Sequence, residues 1–283
     1  MVMKDIIKKF PSQILDSVKI AENISLNKDY SNVQNIVIAG QGGSAIGGVM
    51  VKNLLSKISS LPIIINQDYN IPNFINKNTL FIASSYSGNT EETLSALRVA
   101  KNKTNMIVSI CSGGDLLKIT KKNNFDYILI PAGGVPRAML CYSLTQMLFL
   151  IYMVHGLTIQ DLKTQLIQVQ KNLSNQQDKI MLLAENIASS ISNKMPFIYT
   201  YSEFEGVALR LKQQLNENSK RHACYNLIPE MNHNEIVPWI KQNLCVIPIF
   251  LNGFASFRNK KRMEITLHEI NKSVDDILEF TTG

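Results

Sequence analysis

Cysteine is scarce in this chain and poorly spaced for chemistry. Its four cysteines, Cys111, Cys141, Cys224 and Cys245, form no CxxC pair and stand beside no ligand-spaced histidine, which sets aside a zinc knuckle and a disulfide framework. The run His268-Glu269-Ile270-Asn271-Lys272 has lysine where the second histidine of a zinc-binding HExxH must stand, so no metal is expected. A concentrated basic stripe is also missing. The 29 basic and 22 acidic residues leave +7, but the cations are spread thinly, with only short runs at Lys121-Lys122 and Lys260-Lys261-Arg262. Nucleic acid is therefore not an expected partner, and a small anionic substrate accounts for the excess. The start, Met1 to Ile24, has no unbroken apolar stretch; lysines fall among apolar residues at helical spacing. It reads as an amphipathic helix rather than a signal peptide, and the protein is expected to be cytoplasmic.

What is present is an ordinary globular balance, 45% hydrophobic and 18% charged over 283 residues, enough for two domains of about 140 residues each. One segment, Ala138 to Leu157, is free of Asp, Glu, Lys and Arg and long enough to cross a bilayer. Ser143, Thr145, Gln146 and His155 interrupt it, and a helix buried inside an α/β layer has the same look; the core helix is the expected outcome, with no membrane partner.

The first half alternates apolar runs with helical stretches. Strands are predicted at Asn35–Gly40, Leu61–Asn66, Thr79–Ser84, Asn105–Cys111 and Tyr127–Pro131. Apolar runs without polar alternation, separated by helices, indicate a parallel sheet covered on both faces. Leu157 to Asn193 is polar and helical, and the pattern then restarts. It gives strands at Phe197–Tyr201, Ala223–Leu227, Leu244–Leu251 and Asp276–Thr281, with helices at Glu205–Asn216, Asn234–Lys241 and Arg258–Ile270. The fold class is α/β: two domains, each a parallel sheet flanked by helices, a three-layer αβα arrangement.

Two loops carry chemistry. The first runs Gly40-Gln41-Gly42-Gly43-Ser44-Ala45-Ile46-Gly47-Gly48 between a strand and a helix. Glycines let a backbone approach a ligand closely, and a helix start presents free N–H groups that suit phosphate. A dinucleotide fingerprint is met at Gly42 and Ala45 when counted from Gly40, and fails at Ser44 when counted from Gly42. No Gly-Lys-Ser/Thr follows, so this is not a P-loop. The second loop is Ser84-Ser85-Tyr86-Ser87-Gly88-Asn89-Thr90-Glu91-Glu92-Thr93. A helix cap explains one hydroxyl and one acid there; a phosphate cradle explains Ser85, Ser87 and Thr90 together.

These two loops resemble those of the sugar isomerase (SIS) domain family. Pro136-Arg137-Ala138, Asn216-Glu217-Asn218-Ser219-Lys220 and Pro229-Glu230-Met231-Asn232-His233-Asn234-Glu235 narrow the resemblance to the bifunctional phosphoglucose/phosphomannose isomerases, from about residue 20 to Gly283. The resemblance implies two SIS domains, 1–155 with the N-terminal helix and 156–283, assembled as a homodimer. It implies an aldose–ketose isomerase that interconverts glucose 6-phosphate with fructose 6-phosphate through an enediolate, without a cofactor. Whether mannose 6-phosphate is also a substrate stays open, because the two aldoses differ only at C2.

Such a reaction needs a base, a ring-opening group and a cation facing the enediolate. By the resemblance, Glu217 is the proton-transfer base. It is expected at or just past a helix end and away from bulk water, where a carboxylate holds its proton more tightly. His233 is the ring-opening group, suited by a reference pKa near 6.5, and is implied to reach the neighbouring subunit's site. Arg137 is the enediolate cation. Gly42, Gly43, Ser44, Ser85, Ser87 and Thr90 are expected to bind the sugar phosphate. Glu230 and Glu235 are accounted for by helix capping and salt bridging.

Family members usually continue past the last strand into helices that contribute an active-site lysine. No counterpart is found before Gly283, and the lysine is not assigned to Lys272 or any other position; fast hydrogen exchange is expected in Asp276–Thr281. A competing reading is a non-catalytic SIS module that binds sugar phosphates as sensor or scaffold. It keeps the serine loops but has no need of Glu217, His233 and Arg137.

Overall fold

The computed structural model describes residues 3–241, 245–274 and 276–281. Leu244, the first residue of one predicted strand, and the termini at Met1 and Gly283 lie outside them. The chain divides into two compact units, Met1–Gln177 and Asp178–Gly283, with the division inside a single long helix, α7 (Ile159–Ser190).

In the first unit the strands are β1 (Asn35–Ala39), β2 (Ile63–Asn66), β3 (Thr79–Ser84), β4 (Ile107–Cys111) and β5 (Asp126–Leu129). All pair in parallel, in the order β2-β1-β3-β4-β5. Successive side chains of a strand point to opposite faces, and here both faces are covered. Ile36, Ile38, Leu80 and Ile82 pack in one layer and Val37, Ala39, Phe81 and Ala83 in the other, which is why these strands read as unbroken apolar runs. The first layer is closed by α2 (Phe10–Glu22), α3 (Gly42–Leu55) and α6 (Leu140–Val154). The second is closed by α4 (Glu91–Ala100) and α5 (Gly114–Lys122).

The charge-free stretch is α6, with eleven of its fifteen residues buried. Its polar side chains find partners inside the layer: Gln146 donates to the Ser17 carbonyl at 2.9 Å and Ser143 to the Leu140 carbonyl at 3.2 Å. No helix among the described residues is long and apolar enough to cross a membrane. At the start of β5 a buried carboxylate, Asp126, accepts four hydrogen bonds: from Asn27 N–H and its side-chain amide, Lys28 N–H and the Tyr30 hydroxyl. Burial and the facing Asp126 both raise the Tyr30 phenol pKa far above the tyrosine range.

The second unit repeats the style with β6 (Met195–Tyr201), β7 (Cys224–Ile228), β8 (Val246–Asn252) and β9 (Leu278–Thr281), all parallel in the order β7-β6-β8-β9. Helix α8 (Glu205–Ser219) joins β6 to β7, and α9 (Phe257–Ile270) joins β8 to β9. Two predictions are corrected. The helix expected from 205 ends at Ser219, not Asn216, so Glu217 is inside its last turn; Lys220 ends it in the left-handed region, φ 56°. The helix expected at Asn234–Lys241 is instead a turn and one short 3-10 helix, Val237–Ile240, and a second 3-10 turn, Glu230–His233, comes just before it. Pro229 and Pro238 lack the N–H that a continuing α-helix would need.

Candidate active site

The strand order of the first unit reverses between β1 and β3. Helix α3 leaves to one face and α4 to the other, and a crevice opens beyond the strand ends between them, the usual ligand position in open α/β sheets. Both glycine- and serine-bearing loops are there. Gly40 follows β1 so closely against β3 that a Cβ on it would lie 2.9 Å from the Ser84 carbonyl.

The first loop is shorter than the sequence indicates. Helix α3 already begins at Gly42, so Gly47 and Gly48 are helical and buried: Gly47 faces Leu140 and Ser143 of α6, while Gly48 gives the sheet a close approach, a Cβ on it meeting Ile38 and Ile65 at 3.0 Å. Gly42 opens the helix at φ 49°, facing open space. Gly43 lies under the Pro136 carbonyl, 3.6 Å from where its Cβ would be. The Ser44 hydroxyl accepts the Tyr86 N–H at 3.3 Å.

In the second loop the three hydroxyls are not equivalent. Ser85 is buried; its oxygen is 2.7 Å from that of Thr90 and accepts the Gly88 N–H at 3.1 Å. Ser87 is exposed and accepts the Asn89 N–H at 3.2 Å. Thr90 holds the N-cap position of α4 but its hydroxyl makes no cap bond; it is turned to Ser85 instead. The first turns of α3 and α4 thus carry no side-chain cap. At α5, by contrast, the Asn89 side chain accepts Asp115 N–H at 2.9 Å and the Gly88 carbonyl accepts Leu116 N–H at 2.8 Å.

A cavity of about 170 Å³ lies against these groups, lined by Ser44, Ser87, Thr90, Gln41 and Gly43 and, from the α6 side, by Ser143. Hydroxyls and two uncapped helix starts, with no carboxylate in the lining, suit a phosphate dianion. Arg137 stands in the short turn Pro136–Ala138, half-buried, directly after the proline that lines the cavity. Sequence reasoning missed Gln41, Tyr86 and Ser143. For Ser143 the signal was there, as a polar break in an otherwise apolar helix.

Glu217 and His233 lie on the second unit. Glu217 is exposed in the last turn of α8; the expected shelter from water is not provided by the described residues, because the helix's apolar positions stop at Leu215 and Asn216 to Lys220 are all polar and exposed. Its carboxylate opposes the effect of burial on the Arg210 guanidinium, which on balance is held below its ordinary pKa. His233 ends the 3-10 turn after β7 and is exposed. Its loop is well anchored. Asn232 donates to the Thr266 hydroxyl at 2.7 Å. Glu235 accepts the Tyr199 hydroxyl at 2.8 Å and the Asn226 amide at 2.6 Å, while Trp239 donates to Tyr199 at 2.9 Å. Glu235 therefore works in a hydrogen-bonded network and not in the salt bridge or cap expected of it, and Glu230 accepts from the Asn234 side chain at 3.0 Å. Burial, with Glu235 beside it, raises the Tyr199 phenol far above the tyrosine range.

Helix α8 runs back along the sheet, so its C-terminal end precedes β7, whereas the His233 loop follows β7. Five residues at about 3.3 Å each put about 17 Å of strand between the two groups.

The class of fold is confirmed by comparison. Residues 29–155 match the SIS domain family model, and residues 181–282 match the bacterial phospho-glucose isomerase C-terminal SIS domain. The C-terminal domain of glucosamine-fructose-6-phosphate aminotransferase from Francisella tularensis superposes with a TM-score of 0.78 at 18% identity, over 99% of this chain and 83% of that one. Among curated proteins, the bifunctional phosphoglucose/phosphomannose isomerase of Caldicellulosiruptor bescii is 40% identical over 93% of this chain and 81% of its own length. That of Thermoplasma acidophilum is 37% identical over 82% and 71%. The chain belongs to the bifunctional phosphoglucose/phosphomannose isomerase family.

Proposed function

We propose that the protein is an aldose–ketose isomerase that interconverts glucose 6-phosphate and mannose 6-phosphate with fructose 6-phosphate. The single observation that carries the reading is the neutral, hydroxyl-lined cavity at the β1/β3 crevice of a chain that belongs to this family. The phosphate dianion rests on the starts of α3 and α4, held by Ser44, Ser87 and Thr90, with Ser85 fixing the loop. Glu217 takes the proton from C2 of the open-chain aldose and returns it to C1. Arg137 faces the enediolate oxygens, where a permanent charge lowers the barrier most. His233 moves the proton between the ring oxygen and a hydroxyl to open the ring.

Glu217 and His233 of one chain sit at opposite ends of β7, which supports a homodimer in which each site takes its histidine from the partner subunit. Burial by that second subunit also supplies the dehydration that Glu217 lacks on its own chain. Phosphorylated sugars are kept by their charge within the cytoplasm, where we place the enzyme.

The test is proton NMR of the protein with fructose 6-phosphate in heavy water, beside a Glu217→Gln control. Deuterium appears at C2 of new glucose and mannose 6-phosphates, and the control is slower by about 10³-fold. If the intact protein incorporates no deuterium while sugar phosphate still raises its melting temperature, the chain binds without catalysis and the isomerase reading falls.

A further inference from the structure

Every loop at the crevice except that after β2 converges on one residue, Tyr86. Its backbone N–H donates to the Ser44 hydroxyl in the first turn of α3. Its carbonyl accepts both Ser112 N–H at 3.0 Å and the Ser112 hydroxyl at 2.7 Å, from the segment after β4. Its phenol reaches the segment after β5, donating to the Pro131 carbonyl at 3.0 Å and accepting the Gly134 N–H at 2.8 Å. Gly134 is three residues before Arg137. The two bonds grip the segment that leads from β5 to the arginine turn, which is exposed from Pro131 to Gly133 and includes Gly133 at φ 82°. Tyr86 itself stands between Ser85 and Ser87 and lines the cavity.

We propose that Tyr86 is a positioning residue, which sets Arg137 in register with the bound phosphate by holding the Pro131–Gly134 segment from within the phosphate loop. The inference rests on the assignment of Arg137 as the enediolate cation. A phosphate that tightens the Ser85–Thr90 loop tightens, through the phenol, the segment that delivers the arginine. The cradle and the cation are then one mechanical piece, although they come from different strands.

Tyr86→Phe removes the phenol oxygen alone and keeps the ring that packs on the core. In the isomerase assay kcat falls about tenfold, as expected for two lost hydrogen bonds that act on the transition state, while KM stays within about twofold. The rise in melting temperature with inorganic phosphate is kept. In an Arg137→Ala background the same change lowers kcat by less than about twofold, because the two residues act through one another. Inorganic phosphate added to the unmutated chain slows amide exchange at Gly134, a measurement independent of any variant's folding. The inference is overturned by an unchanged kcat in Tyr86→Phe, by a full tenfold loss repeated in the Arg137→Ala background, by loss of the phosphate-induced melting shift, or by unaltered Gly134 exchange. If Arg137→Ala itself leaves kcat unchanged, the arginine's role and this inference fall together, with the isomerase reading intact. An intact chain without turnover overturns all three.

Discussion

Gly88 stands so close to the carbonyl of Gly113 that a Cβ on it would lie 1.8 Å from that oxygen. The contact ties the β3–α4 loop to the β4–α5 segment, and Gly88 takes φ 69° to make it. A side chain is excluded twice, by space and by backbone conformation. Gly88→Ala should lower the unfolding free energy by about 2 kcal/mol or more and abolish the phosphate-induced rise in melting temperature. Melting curves with and without inorganic phosphate check both, and a wild-type response would contradict the exclusion of a side chain at this contact.

The buried and exposed serines of the same loop should behave differently. Ser85→Ala takes its partner from the Thr90 hydroxyl and leaves the Gly88 N–H only the Ser85 carbonyl as acceptor, at a cost of about 1–3 kcal/mol in stability. Ser87→Ala, at an exposed position, should leave stability within about 0.5 kcal/mol and weaken phosphate binding. Chemical denaturation paired with phosphate titration separates the two; equal stability losses would contradict the geometry.

Alkaline pH should destabilise the protein. Tyr30 and Tyr199 keep their protons in the folded chain, because burial and the facing Asp126 and Glu235 raise their pKa. Unfolded, both ionise near pH 10. The unfolded state therefore releases protons first, so the stability from these groups is complete below about pH 10 and is lost as pH rises beyond it. Tyr30→Phe should cost about 1 kcal/mol at neutral pH, from the lost bond to Asp126, and should flatten the alkaline fall. Stability curves from pH 7 to 11 for both proteins make the test, and parallel curves would refute it.

The fold was legible where the physics is local. Ile36 and Ile38 face one layer and Val37 and Ala39 the other, so the strand shows as an unbroken run. The glycines of α3 were harder to read. Glycine lowers helix propensity, and the sequence suggests a long turn; only the closeness of Ile38 and Ile65 explains why Gly48 is helical. Ser85, Ser87 and Thr90 look alike in a row, yet Ser85 is buried and Ser87, two positions on, is exposed. Tyr86 was invisible as a hub because its partners, Ser44, Ser112, Pro131 and Gly134, lie up to 48 residues away. The exposure of Glu217 was equally out of reach, since shelter depends on what stands opposite and not on the helix that carries it.

The span of β7 between Glu217 and His233 has a consequence for ownership of the site. In the proposed dimer no chain holds a complete set of reactive groups, so two dead proteins can mend each other. Glu217→Gln and His233→Ala, each inactive alone, should regain activity once mixed and allowed to exchange subunits. Half of the dimers are then hybrids, and each hybrid has one site with an intact glutamate from one parent and an intact histidine from the other. The mixture should recover about a quarter of the wild-type rate. Catalysis of this kind also fades on dilution, because what is diluted is not the enzyme's concentration alone but the enzyme itself.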